Sequence, residues 1–96
     1  MKKLYIRTDK YILRTIEGNK LLFPIKSIVG KKQGAILINE ISLNIWDLLK
    51  TPKTIDEILK NIIDDYDIDI KIAEKDINKL FLQFEYYDVI QCIEKL

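Results

Sequence analysis

From Ile41 to Phe84 the apolar residues recur every three or four positions in three separate runs, each with its own opening signal. The first run sets Ile41, Ile45, Leu48 and Leu49 on one stripe with Trp46 beside it, opens at Asn39-Glu40 and is stopped by Pro52. The second sets Ile55, Ile58, Leu59, Ile62, Ile63 and Tyr66 on one face. Its start, Thr54-Ile55-Asp56-Glu57, is a capping box: the threonine oxygen accepts a free amide, and the glutamate answers the threonine's own N–H. The third follows Asp69, a candidate cap, and turns Ala73, Ile77, Leu80, Phe81 and Phe84 inward. These spacings predict three amphipathic helices.

Upstream the pattern changes. Tyr11 to Ile16 and Lys20 to Ile25 read as strands joined by a three-residue reversal, Glu17-Gly18-Asn19, in which Gly18 or Asn19 supplies a left-handed residue. Pro24 lacks the amide that a central strand would donate, so the segment is expected either to pair on one side only there or to be leaving the sheet already. Ser27 to Gln33 reads as a loop, with Ile28 and Val29 either folding back on the core or extending the strand irregularly. A third strand is predicted over Gly34-Ala35-Ile36-Leu37-Ile38, running into the helix opening at Asn39-Glu40. Leu4 to Thr8 is either a frayed arm or a brief strand. Val89 to Ile93 is either a short strand or an extended return over the helices, and Glu94-Lys95-Leu96 is a frayed end. A sheet and a set of helices each need the other to cover an apolar face. The expected fold is therefore α+β: a three-stranded antiparallel sheet followed by three helices, with Trp46 largely buried.

Composition narrows the function more than the fold. The 96 residues suit one domain over 1–96 with a modest core, too short for a typical enzyme with its own substrate cavity. Histidine is absent, which removes the commonest general base, the usual triads and most zinc geometries. Cys92 is alone, so no internal disulfide forms, and a buried or half-buried thiol is expected rather than a nucleophile. No catalytic residue, metal site or cofactor is expected. The apolar runs are far too short for a bilayer span and no signal-peptide core follows Met1-Lys2-Lys3, so a cytoplasmic chain without membrane contact is expected.

The net charge of +1 conceals an asymmetry. Residues 1–53 hold 11 Lys or Arg against 4 Asp or Glu, and residues 54–96 hold 5 against 11. This is either two solvated surfaces of opposite sign or a positive N-terminal half presented to an acidic partner. On the third helix Lys75, Lys79, Leu82 and Tyr86 fall in a narrow sector opposite the inner stripe. Two cations followed by two large apolar groups read as a partner-contact stripe, as a solvated face with incidental hydrophobes, or as packing for the C-terminal segment.

At Leu37-Ile38-Asn39-Glu40-Ile41-Ser42-Leu43-Asn44-Ile45-Trp46-Asp47-Leu48-Leu49 the chain resembles the PqqD family, small winged-helix-type domains that recognise precursor peptides of ribosomally made, post-translationally modified products. Thr54-Ile55-Asp56-Glu57-Ile58 matches the family's helix opening, Tyr66-Asp67-Ile68-Asp69 its link to the last helix, and Ala73-Glu74-Lys75-Asp76-Ile77 the pattern that follows. The likeness covers about residues 9–94. Two features depart from it. The run Phe84-Glu85-Tyr86-Tyr87-Asp88 lacks the glycine often found near the end of the last helix, so that end is either built differently or has Asp88 as a stand-in, and the loop before the third strand is longer than usual.

The resemblance implies a binding module without chemistry of its own. The leader region of a precursor would pair as an added antiparallel strand on Ala35, Ile36, Leu37, Ile38 and Asn39 and lie in the cleft between that strand and the last helix. Ile36 and Ile38 would share one strand face and leave Leu37 on the other. Lys75, Lys79, Leu82 and Tyr86 would meet the peptide from the helix, the lysines facing acidic leader residues. The partner enzyme would be a radical SAM protein, a cyclase or a protease. The rival readings are a winged-helix nucleic-acid binder and a structural subunit or toxin–antitoxin-like partner. Duplex binding wants a basic recognition helix. The second helix instead shows Asp56, Glu57, Asp64 and Asp65 outside against Lys60, and the third balances Lys71, Lys75 and Lys79 against Glu74 and Asp76, leaving only the Lys31-Lys32 loop for DNA.

Overall fold

The computed structural model describes residues 3–25 and 34–94. These form, in order, β1 (Lys3–Arg7), β2 (Tyr11–Ile16), β3 (Asn19–Pro24), β4 (Ile36–Ile38), α1 (Glu40–Leu48), α2 (Ile55–Tyr66), α3 (Ile70–Tyr86) and β5 (Ile90–Glu94). The predicted antiparallel sheet is present in the order β2-β3-β4, and the three helices follow it. The readings of Ser27–Gln33, Ile28, Val29 and Lys31-Lys32 lie outside the described residues, as do positions 95 and 96.

All three helix starts are made by the side chains that the sequence nominates. Asn39 Oδ1 accepts from the Ser42 amide at 2.8 Å. Thr54 Oγ1 accepts from the Glu57 amide at 3.1 Å while the Thr54 amide donates to Glu57 Oε1 at 2.9 Å, completing the capping box. Asp69 Oδ2 accepts from the Ile72 amide at 3.4 Å. The α3 terminus is a Schellman turn: the Asp88 amide donates to the Glu85 carbonyl, and the Val89 amide reaches back to the Phe84 carbonyl at 2.8 Å. Asp88 takes the left-handed conformation there (φ 58°), the position usually given to glycine.

The β2–β3 reversal differs from the three-residue loop expected above. Ile16 pairs with Asn19, so the turn contains only Glu17 and Gly18, with φ of 51° and 83°, and Asn19 belongs to β3. Two positive φ angles mark the type I′ geometry, whose twist matches that of the flanking strands. The sheet's demand for twist places Glu17 in a region that a side chain normally avoids.

The N-terminal arm and the C-terminal tail solve each other's problem. β1 and β5 pair antiparallel from Lys3↔Glu94 to Arg7↔Ile90, forming a second, two-stranded sheet. The opposite edge of β1 is held as well: the Tyr5 and Lys53 main chains exchange hydrogen bonds of 2.8 and 3.0 Å, and the Arg7 amide donates to the Leu49 carbonyl at 2.8 Å. The buried core collects Leu22 and Ile38 from the larger sheet, Ile45, Trp46, Leu49, Ile58 and Ile62 from the first two helical segments, and Ala73, Ile77, Phe81 and Phe84 from α3. Tyr5 stands edge-on to Phe81 with ring centres 4.9 Å apart. Cys92 is exposed, contrary to the buried or half-buried thiol expected, because β5 leaves the core after Ile90 and its next three side chains face solvent.

Tyr11 ties the first strand of the larger sheet to the end of α3, its hydroxyl donating to the Tyr87 carbonyl at 2.7 Å. Burial first, then the Asp88 carboxylate and the Tyr87 phenol, raise the Tyr11 phenol above its ordinary value of 10.0. Tyr11→Phe is expected to cost about 1 kcal/mol at neutral pH by removing this donor. A raised folded-state value means that the native chain holds the proton more tightly than the unfolded one. The difference between wild type and Tyr11→Phe is therefore complete below the ordinary tyrosine range and closes as pH rises through the folded value. Urea titrations of both proteins from neutral to alkaline pH would check this, and a difference that stays constant with pH would contradict it.

Candidate functional site

Among the described residues β4 is an edge strand, paired to β3 on one side only. The phase of the ladder decides which of its groups are open. In a two-residue hairpin the closing pair, here Ile16 and Asn19, is hydrogen-bonded, and hydrogen-bonded pairs then alternate. Asn19, Leu21 and Phe23 thus bond toward β2; the Ile25 amide continues the series by donating to the Lys10 carbonyl at 2.8 Å, and Pro24 falls where no donor is needed. Lys20 and Leu22 consequently bond toward β4, where they lie opposite Ile38 and Ile36. Leu37, between these two, turns both its N–H and its C=O to the open side.

The side chains alternate as the strand period requires. Ile38 is 6% exposed in the core, Ile36 is half-buried, and Leu37 is 67% exposed on the other face of the sheet. Ala35 and Asn39, expected to extend this strand, flank it instead. The Asn39 side chain is committed to the α1 cap.

The groove along this edge is walled by α3, which runs antiparallel to β4. Near the start of the strand, Gly34, Ala35, Ile36 and Leu37 face Gln83 and Tyr87 across a concavity of about 300 Å³. Near its end, Asn39, Ile41 and Ser42 face Asp76, Lys79, Leu80 and Gln83 across one of about 250 Å³. Gln83 lines both, so the two hollows adjoin at this residue along the β4–α3 groove. Among the α3 residues singled out from the sequence, Lys79 lines the groove. Lys75, Leu82 and Tyr86 are exposed and lie roughly 60–100° around the helix from Gln83, on its outer side. Sequence reasoning missed Asp76, Leu80, Gln83 and Tyr87. The groove-facing stripe is the one beside the buried stripe on the strand's side rather than the one opposite it, and choosing between its two flanks requires knowing where β4 runs. Because Asp76 accompanies Lys79, the groove presents both signs of charge.

The outer faces of the helices agree with the electrostatic reading of the sequence. Asp56, Glu57, Asp64 and Asp65 on α2 are exposed with only Lys60 as a cation among them, a surface that repels phosphate. Among the described residues no three His, Cys, Asp or Glu side chains come together in a way that could hold a metal ion, and no helix is long and apolar enough to cross a membrane.

A search of curated proteins finds no match. Among solved structures, one described as TbiB1 in complex with the TbiA(beta) leader peptide superimposes with a TM-score of 0.71, over 94% of this chain and 99% of that one. At 17% identity, that likeness is one of fold. The pattern of the family described as coenzyme PQQ synthesis protein D (PqqD) matches residues 22–90. That span is narrower than the 9–94 read from motifs, but it contains β4, all three helices and thus both walls of the groove. The chain belongs to the PqqD family.

Proposed function

We propose that this chain binds the leader region of a ribosomally made precursor peptide as an added antiparallel strand on β4 and presents the peptide to a separate maturation enzyme, with no chemistry of its own. The observation that carries this reading is the open β4 edge facing the α3 groove in a chain of the PqqD family. The TbiB1 structure, of the same fold, is of a complex with a leader peptide.

Main-chain bonds to Leu37, extended by the flanking Ala35 and Asn39, hold the peptide without reading its sequence. Specificity comes from peptide side chains that alternate between the groove, against Ile36, Leu80, Gln83 and Tyr87, and the open face beside Leu37. The buried Ile38 supports the strand from beneath. Lys79 meets acidic leader residues within the groove; Lys75, Leu82 and Tyr86 serve the leader where it continues over the outer side of α3. Holding the leader raises the effective concentration of the attached core at the enzyme, which is a radical SAM protein, a cyclase or a protease.

The test is an NMR titration of the labelled chain with the leader of a short precursor encoded beside it. Amide shifts are expected at 34–42 and 76–87. Lys79→Glu should weaken an acidic leader, more at low salt than at high salt, since exposed charge contacts are screened. Shifts centred on α2, or none at high micromolar peptide, would reject the proposal.

A further inference from the structure

The sheet that offers β4 has a second open edge. Among the described residues β2 pairs only with β3, and the ladder phase that bonds Ile12, Arg14 and Ile16 toward β3 turns the main-chain groups of Leu13 and Thr15 outward. This edge also borders a groove. Arg7, Thr8 and Asp9 on one side, Trp46 and Lys50 on another, and Tyr11, Ile12, Leu13 and Ile25 along the sheet enclose about 490 Å³. Its far wall is fixed: the Arg7 amide is bonded to the Leu49 carbonyl and the Thr8 amide to the Val89 carbonyl, both at 2.8 Å, and Thr8 Oγ1 donates to the Asp88 carbonyl at 2.7 Å. The Arg7 guanidinium sits over the Trp46 ring, 4.0 Å from its centre.

We infer that this β2 edge is a second strand-addition site, and that its occupant is an extended segment of another protein in which apolar and acidic side chains alternate. The apolar half of that description follows from Ile12, Leu13 and Ile25, which are exposed along the groove. The acidic half follows from charge. Arg7, Lys10, Arg14 and Lys50 border the edge against Asp9 and Asp47. Among the described residues Arg7, Lys10 and Arg14 have no carboxylate within ion-pair distance, and Lys50 reaches only Asp47 on its own helical segment, at 3.9 Å. A second copy of this chain fits poorly, because antiparallel pairing of β2 with itself brings Arg14 of one copy close to Arg14 or Lys10 of the other. β2 and β4 are separated by β3 alone, about 10 Å across the sheet. A leader on β4 and a partner strand on β2 would together form a continuous five-stranded sheet, coupling peptide and partner through one rigid body.

Lysine and arginine on an edge strand also serve simply to repel other strands, and the experiment separates the two roles. The labelled full chain is titrated with a capped octapeptide alternating valine and glutamate, and in parallel with its valine–lysine counterpart. Shifts are expected at amides 7–16 and at the Trp46 indole N–H, at peptide concentrations up to about 1 mM, with the lysine peptide at least about tenfold weaker. N-methylation of one alternate set of peptide amides should abolish binding, while methylation of the other set should leave most of it. Arg14→Glu and Lys50→Glu, both at exposed positions, should reverse the preference between the two peptides. No shift at β2 with either peptide would leave a charge-guarded edge and overturn the inference. Equal binding of both peptides, or indifference to N-methylation, would also overturn it. Shifts confined to 34–39 would assign strand addition to β4 alone, and shifts at β2 on concentrating the chain without peptide would make the occupant a second copy.

Discussion

Trp46→Ala is expected to lower the stability of the chain by about 3–5 kcal/mol, the range for deleting a large buried aromatic side chain. A domain of this size has only about 5–15 kcal/mol in total, so the variant should lie near the edge of folding. Trp46 is 8% exposed and packs among core side chains drawn from both layers, and its outer ring face carries the Arg7 guanidinium. Alanine leaves a cavity at the joint between helix and sheet and strips Arg7 of the surface on which it lies. Trp46→Phe is the informative companion. Its smaller ring keeps a platform for Arg7 and removes an indole N–H that has no hydrogen-bond partner among the described residues, so its cost should be much lower. Urea midpoints at unchanged slope measure both. A midpoint unmoved by the alanine change would show that the ring does not hold the layers together.

Leu37→Pro is expected to weaken leader binding roughly tenfold while the sheet remains intact. Leu37 is the β4 residue whose amide points away from β3, so proline there removes a donor that the fold does not use and that an added strand does. Proline at Ile36 or Ile38 would instead break a bond to Leu22 or Lys20 and damage the sheet itself. Thermal melts of the three variants and titrations of those that fold distinguish these outcomes. Leu37→Ala completes the set: it retains the amide and deletes the exposed side chain, separating backbone affinity from side-chain contact. Full-strength leader binding by a folded Leu37→Pro variant would exclude strand addition at this residue.

How much of this was legible beforehand depends on how far apart the interacting groups are in the chain. The helices and their caps were legible because Asn39, Thr54 and Asp69 each act on an amide three residues away. The strand alternation was legible too: Ile36 and Ile38 turn inward and Leu37 outward, as period two demands. The family resemblance rested on the same local signals, set in order along the chain. The hairpin turn is one residue shorter than the sequence suggests, since Glu17 is an unfavourable residue for positive φ and accepts it only because the twisted ladder on either side requires it.

The sequence by itself determined the three helices with their caps, the existence of a β-hairpin and third strand, the inward stripes and the family. Tertiary structure alone decided that the two ends of the chain pair as β1 and β5, that Cys92 emerges into solvent, and that Asp76, Leu80, Gln83 and Tyr87 rather than the outermost stripe of α3 accompany Lys79 in the groove. The division has a physical cause. Caps, turns and periodicity are fixed by hydrogen bonds and burial within a few residues, whereas an open edge and a groove exist only once remote segments dock. Which flank of a helix faces a strand is then set by the packing of the whole core rather than by the helix's own residues.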